Sequence, residues 1–222
     1  MWIKICANTN LEDAQLAVDA GANAVGFVFA ASPRHVNVPQ VAGITRHLPA
    51  GVEKIGVFVD ADFGEIVRSV EDAALTGVQL HAAKDETLAT KLRERFGASL
   101  RILRVLHFAD DLEAQLQAVR NDNAIDGILV DSRTANAVGG TGVSYNWQAA
   151  RAGFLAASRL RLIAAGGLKP ENVAEAIRVL EPWGVDVASG VEAAPGKKDA
   201  ARVQAFIKAA NEAARELTVA AQ

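Results

Sequence analysis

The chain has 222 residues, half of them hydrophobic, with a formal net charge of −3 that is spread along the sequence. These values exclude a disordered chain, and the interleaved charges offer no basic face to nucleic acid or to an anionic membrane. The apolar runs are far shorter than the ~20 residues that span a bilayer, and one cysteine cannot form an internal disulfide. We therefore expect a cytoplasmic protein that binds neither nucleic acid nor membrane.

Eight short runs rich in Val, Ile and Phe follow one another along the chain. They are nearly continuous in apolar residues rather than alternating, which is typical of parallel strands that are covered on both faces. The predicted strands are Ile3–Cys6, Ala24–Phe29, Lys54–Val59, Gly77–His81, Arg101–His107, Gly127–Asp131, Leu160–Ala165 and Val185–Ala188.

Segments with helical spacing lie between several of these strands. Their apolar residues recur every three or four positions, so each helix should lay one face on the sheet. Asp85 and Asp110 precede two of them, and Pro170 indicates the first turn of a third. The predicted helices cover 88–96, 112–119, about 170–180 and about 199–217.

Eight strand–helix units in 222 residues allow roughly 28 residues per unit, which is typical of a (β/α)8 barrel. The alternative is a doubly wound open sheet, but no Gly-x-Gly-x-x-Gly follows the first strand. We therefore predict an α/β fold, a single (β/α)8 TIM barrel over residues 1–222, with a frayed tail at 217–222. In such barrels the C-terminal ends of the strands carry the chemistry.

Polar residues and glycines at the predicted strand ends are therefore the candidate site. Asp126 begins the sixth strand, so it falls at the opposite end of the barrel and is predicted to be structural. His107 ends the fifth strand but is a weaker candidate than His81. The candidates are Cys6, Arg34, Gln79, His81, Asp131, Gly166, Gly167, Ser189 and Gly190.

Two of these candidates combine a thiol with a carboxyl group. Cys6 alone could be a small buried hydrophobe, and Asp131 could cap the glycine-rich loop that follows it. At one barrel mouth, however, they supply the two partners that acid–base chemistry requires. Burial at the end of an apolar strand favours a carboxyl group that donates a proton.

The remaining candidates are typical of a site for an anionic ligand. Gly166-Gly167 and Ser189-Gly190 could be ordinary turns, but they follow the last two strands, where barrels commonly hold a phosphate. Arg34 is either a solvated loop residue or a partner for a carboxylate. His81 could equally be a hydrogen-bonded core histidine. No cluster of His, Cys, Asp or Glu has metal-ligand spacing, so we expect no metal.

Eight segments, taken in chain order, resemble the phosphoribosylanthranilate isomerases of tryptophan biosynthesis. The resemblance covers essentially the whole chain, and its first and last segments are the most specific. The segments are KICAN, GFVFAASPRHV, KIGVFVD, GVQLH, ILVDS, GGTG, AAGGLKPENV and GVDVASGVEAAPGKKD.

The resemblance implies an intramolecular oxidoreductase, an aldose–ketose isomerase that performs an Amadori rearrangement without a cofactor. Asp131 then resembles the general acid and Cys6 the general base. Arg34, with Gln79 and His81, is expected to bind the anthranilate part of the substrate. The glycine turns at 166–167 and 189–190 are expected to hold the phosphate, in a monomer or a homodimer.

Three segments depart from the family pattern. Ala7 stands where the family usually has glycine, and its methyl group forbids some backbone conformations. QLHAAKDE replaces the usual QLHGDE, and VSYNW follows GGTG in place of a Phe-Asp-Trp sequence. Asn146 in the last segment can cap a helix as well as aspartate can.

Two other functions remain open from the sequence. The aminoaldose isomerase of histidine biosynthesis performs the same rearrangement on a different amine, but that family has an aspartate where Cys6 stands. A noncatalytic barrel that binds a phosphosugar would need the glycine turns but not the pair of Cys6 and Asp131.

Overall fold

The computed structural model describes residues 1–81, 85–108, 111–132, 146–156 and 161–220. Eight parallel strands form a closed barrel in chain order, and β8 pairs with β1 to close it. The predicted (β/α)8 barrel is therefore confirmed. The barrel strands are β1 (Trp2–Ile5), β2 (Ala24–Val28), β3 (Glu53–Val59), β4 (Gly77–His81), β5 (Arg101–His107), β6 (Gly127–Asp131), β7 (Leu162–Ala164) and β8 (Gly184–Val187).

Helices and one small hairpin complete the described part of the chain. No helix in these ranges is both long and apolar enough to cross a membrane. A two-stranded antiparallel hairpin, β9 (Glu192–Ala194) with β10 (Lys197–Lys198), follows the barrel. The helices are α1 (Leu11–Asp19), α2 (Val38–Thr45), α3 (Phe63–Asp72), α4 (Leu88–Phe96), α5 (Leu112–Val119), α6 (Trp147–Ala156), α7 (Val173–Leu180) and α8 (Ala200–Ala220).

The predicted strands agree with the observed ones to within two residues at each end, and two predicted helix ends differ from the observed ones. Pro170 lies in a turn and α7 begins only at Val173, so the prediction that Pro170 opens this helix was wrong. The Asn172 side chain stabilises that turn, since it accepts from Lys169 N and donates to Gly167 O. Helix α8 continues to Ala220, so the chain is still helical where the frayed tail was predicted to begin.

Two of the three helix-capping residues predicted from the sequence lie within the described residues. Asn146 accepts a hydrogen bond from Ala149 N over 3.1 Å, which confirms that it caps α6. Asp85 accepts from Thr87 N, in the turn before α4. Asp110, residues 82–84 of the QLHAAKDE segment and residues 143–145 of the VSYNW segment lie outside the described residues.

Apolar side chains form one layer outside the ring of strands and one layer inside it. The outer layer packs the strands against the helices, and the inner one fills the barrel. Near the end where the strands begin, Trp2 stacks on Trp183 with 5.3 Å between ring centroids. Because side chains alternate along a strand, each strand sends every second residue inward. The inner layer contains Trp2, Ala24, Ile55, Leu103, Val105, Leu129, Ile163 and Ala165.

Asp126 has the structural role that its position predicts. Its Oδ2 atom accepts from Ile102 N and from Arg93 Nη2, each over 2.7 Å. These bonds join the start of β6 to β5 and to α4, at the end of the barrel remote from the candidate site.

Ala7, directly after β1, has a φ of 62° and is buried. This left-handed conformation costs a residue with a Cβ about 1–2 kcal/mol, whereas glycine adopts it freely. We expect Ala7→Gly to raise the free energy of unfolding by about 0.5–1 kcal/mol, after subtracting the larger chain entropy of unfolded glycine. Urea unfolding followed by circular dichroism measures the change. A lower stability of the variant would show that packing of the Ala7 methyl group outweighs the backbone strain.

Candidate active site

A single cavity at the C-terminal ends of the strands brings together most of the predicted site residues. Gly190 is the exception, because it lies behind the cavity wall. Backbone and apolar side chains from β2, β3 and β8 complete the lining. The predicted residues that line the cavity are Cys6, Arg34, Gln79, His81, Asp131, Gly166, Gly167 and Ser189.

Cys6 lies immediately after β1, with only 6% of its surface exposed. Its backbone N–H donates to Val187 O over 2.8 Å, which extends the pairing of β1 with β8 by one residue. Gly26 of β2 leaves the space that the thiol occupies. A Cβ at Gly26 would lie 2.6 Å from Cys6 Sγ and 2.9 Å from Lys4 Cε. The thiol and the lysine chain therefore share the gap above this glycine.

Lys4 is a fully buried cation inside the barrel, which the sequence analysis missed. Its Nζ atom donates to Asp186 Oδ1 over 3.0 Å and to Gln79 Oε1 over 2.7 Å. Lys4 and Asp186 are register partners on β1 and β8, whereas Gln79 lies on β4, across the barrel. The signal was a charged residue within an apolar strand, two positions before Cys6 and therefore on the same inward face.

The surroundings of Cys6 decide how easily the thiol loses its proton. Burial raises the pKa of the Cys6 thiol, and the carboxylate of Asp186 acts in the same direction. The ammonium groups of Lys4 and Lys198 oppose this, but the pKa remains above its usual value. The thiol is thus the predominant form in the free protein at neutral pH, and the thiolate, when formed, is a strong base.

The bond from Lys4 also determines how Gln79 and His81 interact. Because Gln79 Oε1 accepts from Lys4, its Nε2 atom is the donor to His81 Nε2, 2.9 Å away. His81 Nε2 therefore accepts, which places the imidazole proton on Nδ1 of a neutral ring. The His107 ring lies 6.3 Å from that of His81, between the ends of β4 and β5.

Asp131 ends β6 and is 8% exposed at the cavity wall. Gly166 and Gly167, after β7, have φ values of 79° and 66°, which favour glycine. A Cβ at Gly166 would lie 2.5 Å from Asp131 Oδ1 and still closer to Ser132. The sequence thus needs glycine at 166 both for the turn and for the close approach of the β7 loop to Asp131.

Arg34 reaches the cavity wall from the loop after β2 and is held by Glu192, a residue that the sequence analysis missed. Arg34 Nε and Nη2 donate to the two carboxylate oxygens of Glu192 over 2.7–3.0 Å. The buried Lys198 ammonium lies 3.2 Å from Glu192 Oε1. Burial alone would raise the pKa of Glu192, but the hydrogen bond from Arg34 and the charge of Lys198 hold it below its usual value.

Gly190 has a packing role. A Cβ at this position would collide with the backbone oxygen of Leu168, so the loops after β7 and β8 can touch only because residue 190 lacks a side chain. Its carbonyl oxygen accepts from Arg202 Nε over 3.0 Å. Any larger residue at 190 must shift backbone, and it would therefore disturb the fold as well as the cavity.

The barrel and the polar cavity at its C-terminal end define a TIM-barrel enzyme. A family model described as N-(5'phosphoribosyl)anthranilate (PRA) isomerase matches residues 3–209. The chain belongs to this family, which confirms the resemblance found in its sequence segments.

Individual relatives agree with the family assignment. The N-(5'-phosphoribosyl)anthranilate isomerase of Pelobacter propionicus is 44% identical over 217 residues, which cover 97% of this chain and 98% of the relative. The crystal structure of the phosphoribosyl anthranilate isomerase from Thermotoga maritima has a TM-score of 0.84 at 37% identity, with coverage of 96% of this chain and 99% of that one.

A further solved structure holds a ligand. It is a phosphoribosyl anthranilate isomerase in complex with reduced 1-(o-carboxyphenylamino)-1-deoxyribulose 5-phosphate. It is 35% identical to this chain and has a TM-score of 0.80, and the match covers 96% of this chain and 99% of that one.

Proposed function

We propose that the protein converts N-(5-phospho-β-D-ribosyl)anthranilate to 1-(2-carboxyphenylamino)-1-deoxy-D-ribulose 5-phosphate, a step of L-tryptophan biosynthesis. The observation that carries this proposal is the shared cavity of Cys6 and Asp131 in a chain of this isomerase family. The reaction is an internal redox exchange between C1 and C2 of the sugar and needs no cofactor. The enzyme acts in the cytoplasm, as a monomer or a homodimer.

Asp131 acts first, as the general acid. Its carboxyl group protonates the ring oxygen of the ribose, the bond from C1 to that oxygen breaks, and the nitrogen lone pair forms a C1=N bond. The carboxyl group becomes a carboxylate, and the substrate becomes an open-chain iminium. The position of Asp131 supports this role, because its carboxyl group lies at the cavity wall, where the substrate would bind.

Cys6 acts second, as the general base. The positive iminium makes the proton on C2 acidic, so the thiolate can remove it and become a thiol. The electrons of the C2–H bond form C1=C2, and those of the C=N bond return to nitrogen. The resulting enolamine then tautomerises to the ketone. The position of Cys6 supports this assignment, because the thiol lines the same cavity as Asp131.

The loops after β7 and β8 are proposed to hold the 5-phosphate. Gly166, Gly167 and Ser189 line the cavity there, and residues without large side chains let backbone N–H groups approach phosphate oxygens. Gly190 supports this subsite from behind through its contact with Leu168.

Arg34 is proposed to bind the anthranilate carboxylate, beside Gln79 and His81. Glu192 occupies the Nε–Nη2 edge of the guanidinium, so the Nη1–Nη2 edge is the one for the substrate. Arg34→Lys keeps the charge but loses the planar fork, so we expect KM to rise by about tenfold or more, since a charged hydrogen bond contributes about 1.5–3 kcal/mol. Steady-state kinetics with varied substrate measures this.

A carboxylate-free product analogue is the control for Arg34. It should inhibit the wild type and Arg34→Ala equally, whereas the carboxylated analogue should lose affinity for the variant. Glu192→Gln keeps Arg34 but loosens its orientation, so a smaller rise in KM is expected. Equal weakening of both analogues by Arg34→Ala would contradict the assignment.

A direct assay tests the proposed reaction. Purified protein is mixed with freshly prepared phosphoribosylanthranilate, and its fluorescence should be lost as product forms. The aminoaldose substrate of histidine biosynthesis is assayed in parallel. Turnover of that substrate alone would favour the related isomerase. Binding without turnover of either would favour a noncatalytic phosphosugar-binding barrel.

A further inference from the structure

The ion pair beneath Cys6 has no role in the two proton transfers described above. Lys4 is completely buried, and its neighbours in the barrel interior include the thiol itself. Burial alone would lower the pKa of the Lys4 ammonium, but Asp186 and Cys6 together hold it above its usual value. Lys4 is therefore a fixed positive charge at neutral pH, placed directly below the proposed base.

The geometry ties this charge to the thiol. Cys6 Sγ and Lys4 Cε both lie within 3.0 Å of one point above Gly26, so these two atoms are less than about 6 Å apart. The Lys4 chain cannot move away, because Nζ is held by Asp186 on one side of the barrel and by Gln79 on the other. At this range, in a buried site, a cation favours a neighbouring anion strongly.

We propose that Lys4 is a positioning residue that stabilises the thiolate of Cys6, and that Asp186 limits this stabilisation by sharing the ammonium charge. The inference rests on the proposed role of Cys6 as the base, and it adds the residues that set how much of the base form exists. Lys198 of β10 and Arg34 of the loop after β2 also act on the thiol, but Glu192 binds both and offsets their charge.

This arrangement predicts opposite effects for the two members of one ion pair. Loss of the Lys4 charge should make the thiolate harder to form, whereas loss of the Asp186 charge should make it easier. A purely structural pair would behave differently, since breaking it from either side would loosen the same part of the barrel. The direction of the change therefore separates an electrostatic role from a structural one.

The test measures the rate of Cys6 alkylation by iodoacetamide as a function of pH, with the modified protein quantified by mass spectrometry. Because the chain has one cysteine, every modification reports on this thiol. The rate follows the thiolate fraction, so the midpoint of the curve gives the ease of ionisation, and the plateau at high pH gives the access of the reagent.

Lys4→Met keeps the length of the side chain and should move the midpoint to higher pH. At a pH below the midpoint, Cys6 of this variant should be alkylated about tenfold or more slowly than Cys6 of the wild type. Asp186→Asn should move the midpoint to lower pH and increase the rate at the same pH. Glu53→Gln is the matched control, because it removes an ion pair with Arg101 at the opposite end of the barrel and should leave the midpoint unchanged.

Folding of each variant is checked by circular dichroism, because removal of one partner of a buried ion pair leaves an unpaired charge that destabilises the fold. If Lys4→Met does not fold, the double variant Lys4→Met/Asp186→Asn replaces it, and its midpoint must lie above that of Asp186→Asn. Midpoints that stay fixed, or that move in the same direction in both single variants, overturn the inference.

The pH profile of kcat/KM distinguishes this inference from the proposed function. If Cys6 is the base, the limb of the profile that reports the thiol should follow the alkylation midpoints in each variant. Shifted alkylation midpoints with an unshifted kcat/KM profile would support the effect of Lys4 on the thiol while contradicting the role of Cys6 in catalysis.

Discussion

Replacement of Cys6 by serine is expected to lower kcat by about 10²–10⁴, the usual loss when a general base is removed. Serine fits the gap above Gly26, so the fold should be preserved. Its hydroxyl is a far weaker acid than a thiol, and almost none of it is ionised at neutral pH. KM should change little, because the residues proposed to hold the phosphate and the anthranilate lie elsewhere in the cavity.

Substrate deuterated at C2 tests the step that is assigned to Cys6. If removal of the C2 proton limits the rate, the deuterated substrate should react more slowly, and the Cys6→Ser variant should make that step limiting. Thermal unfolding is measured in parallel, so that a loss of activity is not confused with a loss of fold. Near-native turnover by a folded Cys6→Ser variant would refute the assignment, and the thiol would then be a buried apolar side chain.

Replacement of Asp131 by asparagine should be comparably damaging, with kcat lower by about 10²–10⁴. Asparagine has the size of aspartate but cannot act as a general acid, so the ribose ring would not open. Steady-state kinetics gives the loss, and substrate binding measured by inhibition with a product analogue should be nearly unchanged. The backbone of Gly166 lies close to the Asp131 side chain, so the replacement must have the size of aspartate.

Asp126→Asn is the matched control for this experiment. Asp126 directly precedes the strand that Asp131 ends, and it contacts Arg93 and Ile102 rather than the cavity. The control should lower stability while leaving kcat of the folded protein unchanged. A folded Asp131→Asn variant that turns over at the rate of Asp126→Asn would exclude Asp131 as the acid.

The strand pattern predicted both the barrel and most of the cavity lining, for one physical reason. Parallel strands in a closed barrel end on the same side, so Cys6, Gln79, His81 and Asp131 had to converge once the strands were located. Their distance apart in sequence does not matter for this argument. What mattered was that each follows or closes a continuous apolar run.

The charged interior could not be derived in this way. Lys4 and Asp186 lie within strands that were interpreted as apolar, and their pairing joins residues 182 positions apart. Hydrogen bonding of Lys4 to Gln79 depends on which residues face one another across the closed barrel, a three-dimensional relation with no local signal. The role of Gly26 could not be predicted either. It leaves space for the side chains of Cys6 and Lys4, and the residue pattern of β2 does not indicate this.

The hairpin after β8 was also missed, because β9 and β10 have only three and two residues. Such short strands have no period that can be recognised. Their importance comes from Glu192, which binds Arg34 and so links the loop after β2 to the hairpin, and from the buried Lys198, which binds Glu192.

The filled interior of the barrel limits how molecules travel to and from the reacting groups. Trp2 and the residues of the inner layer occupy the space below Lys4, so a molecule in the cavity cannot leave through the far end of the barrel. Substrate must enter, and product must depart, on the side where the strands end. Bound product occupies the same space as the next substrate molecule. Added product should therefore act as a competitive inhibitor.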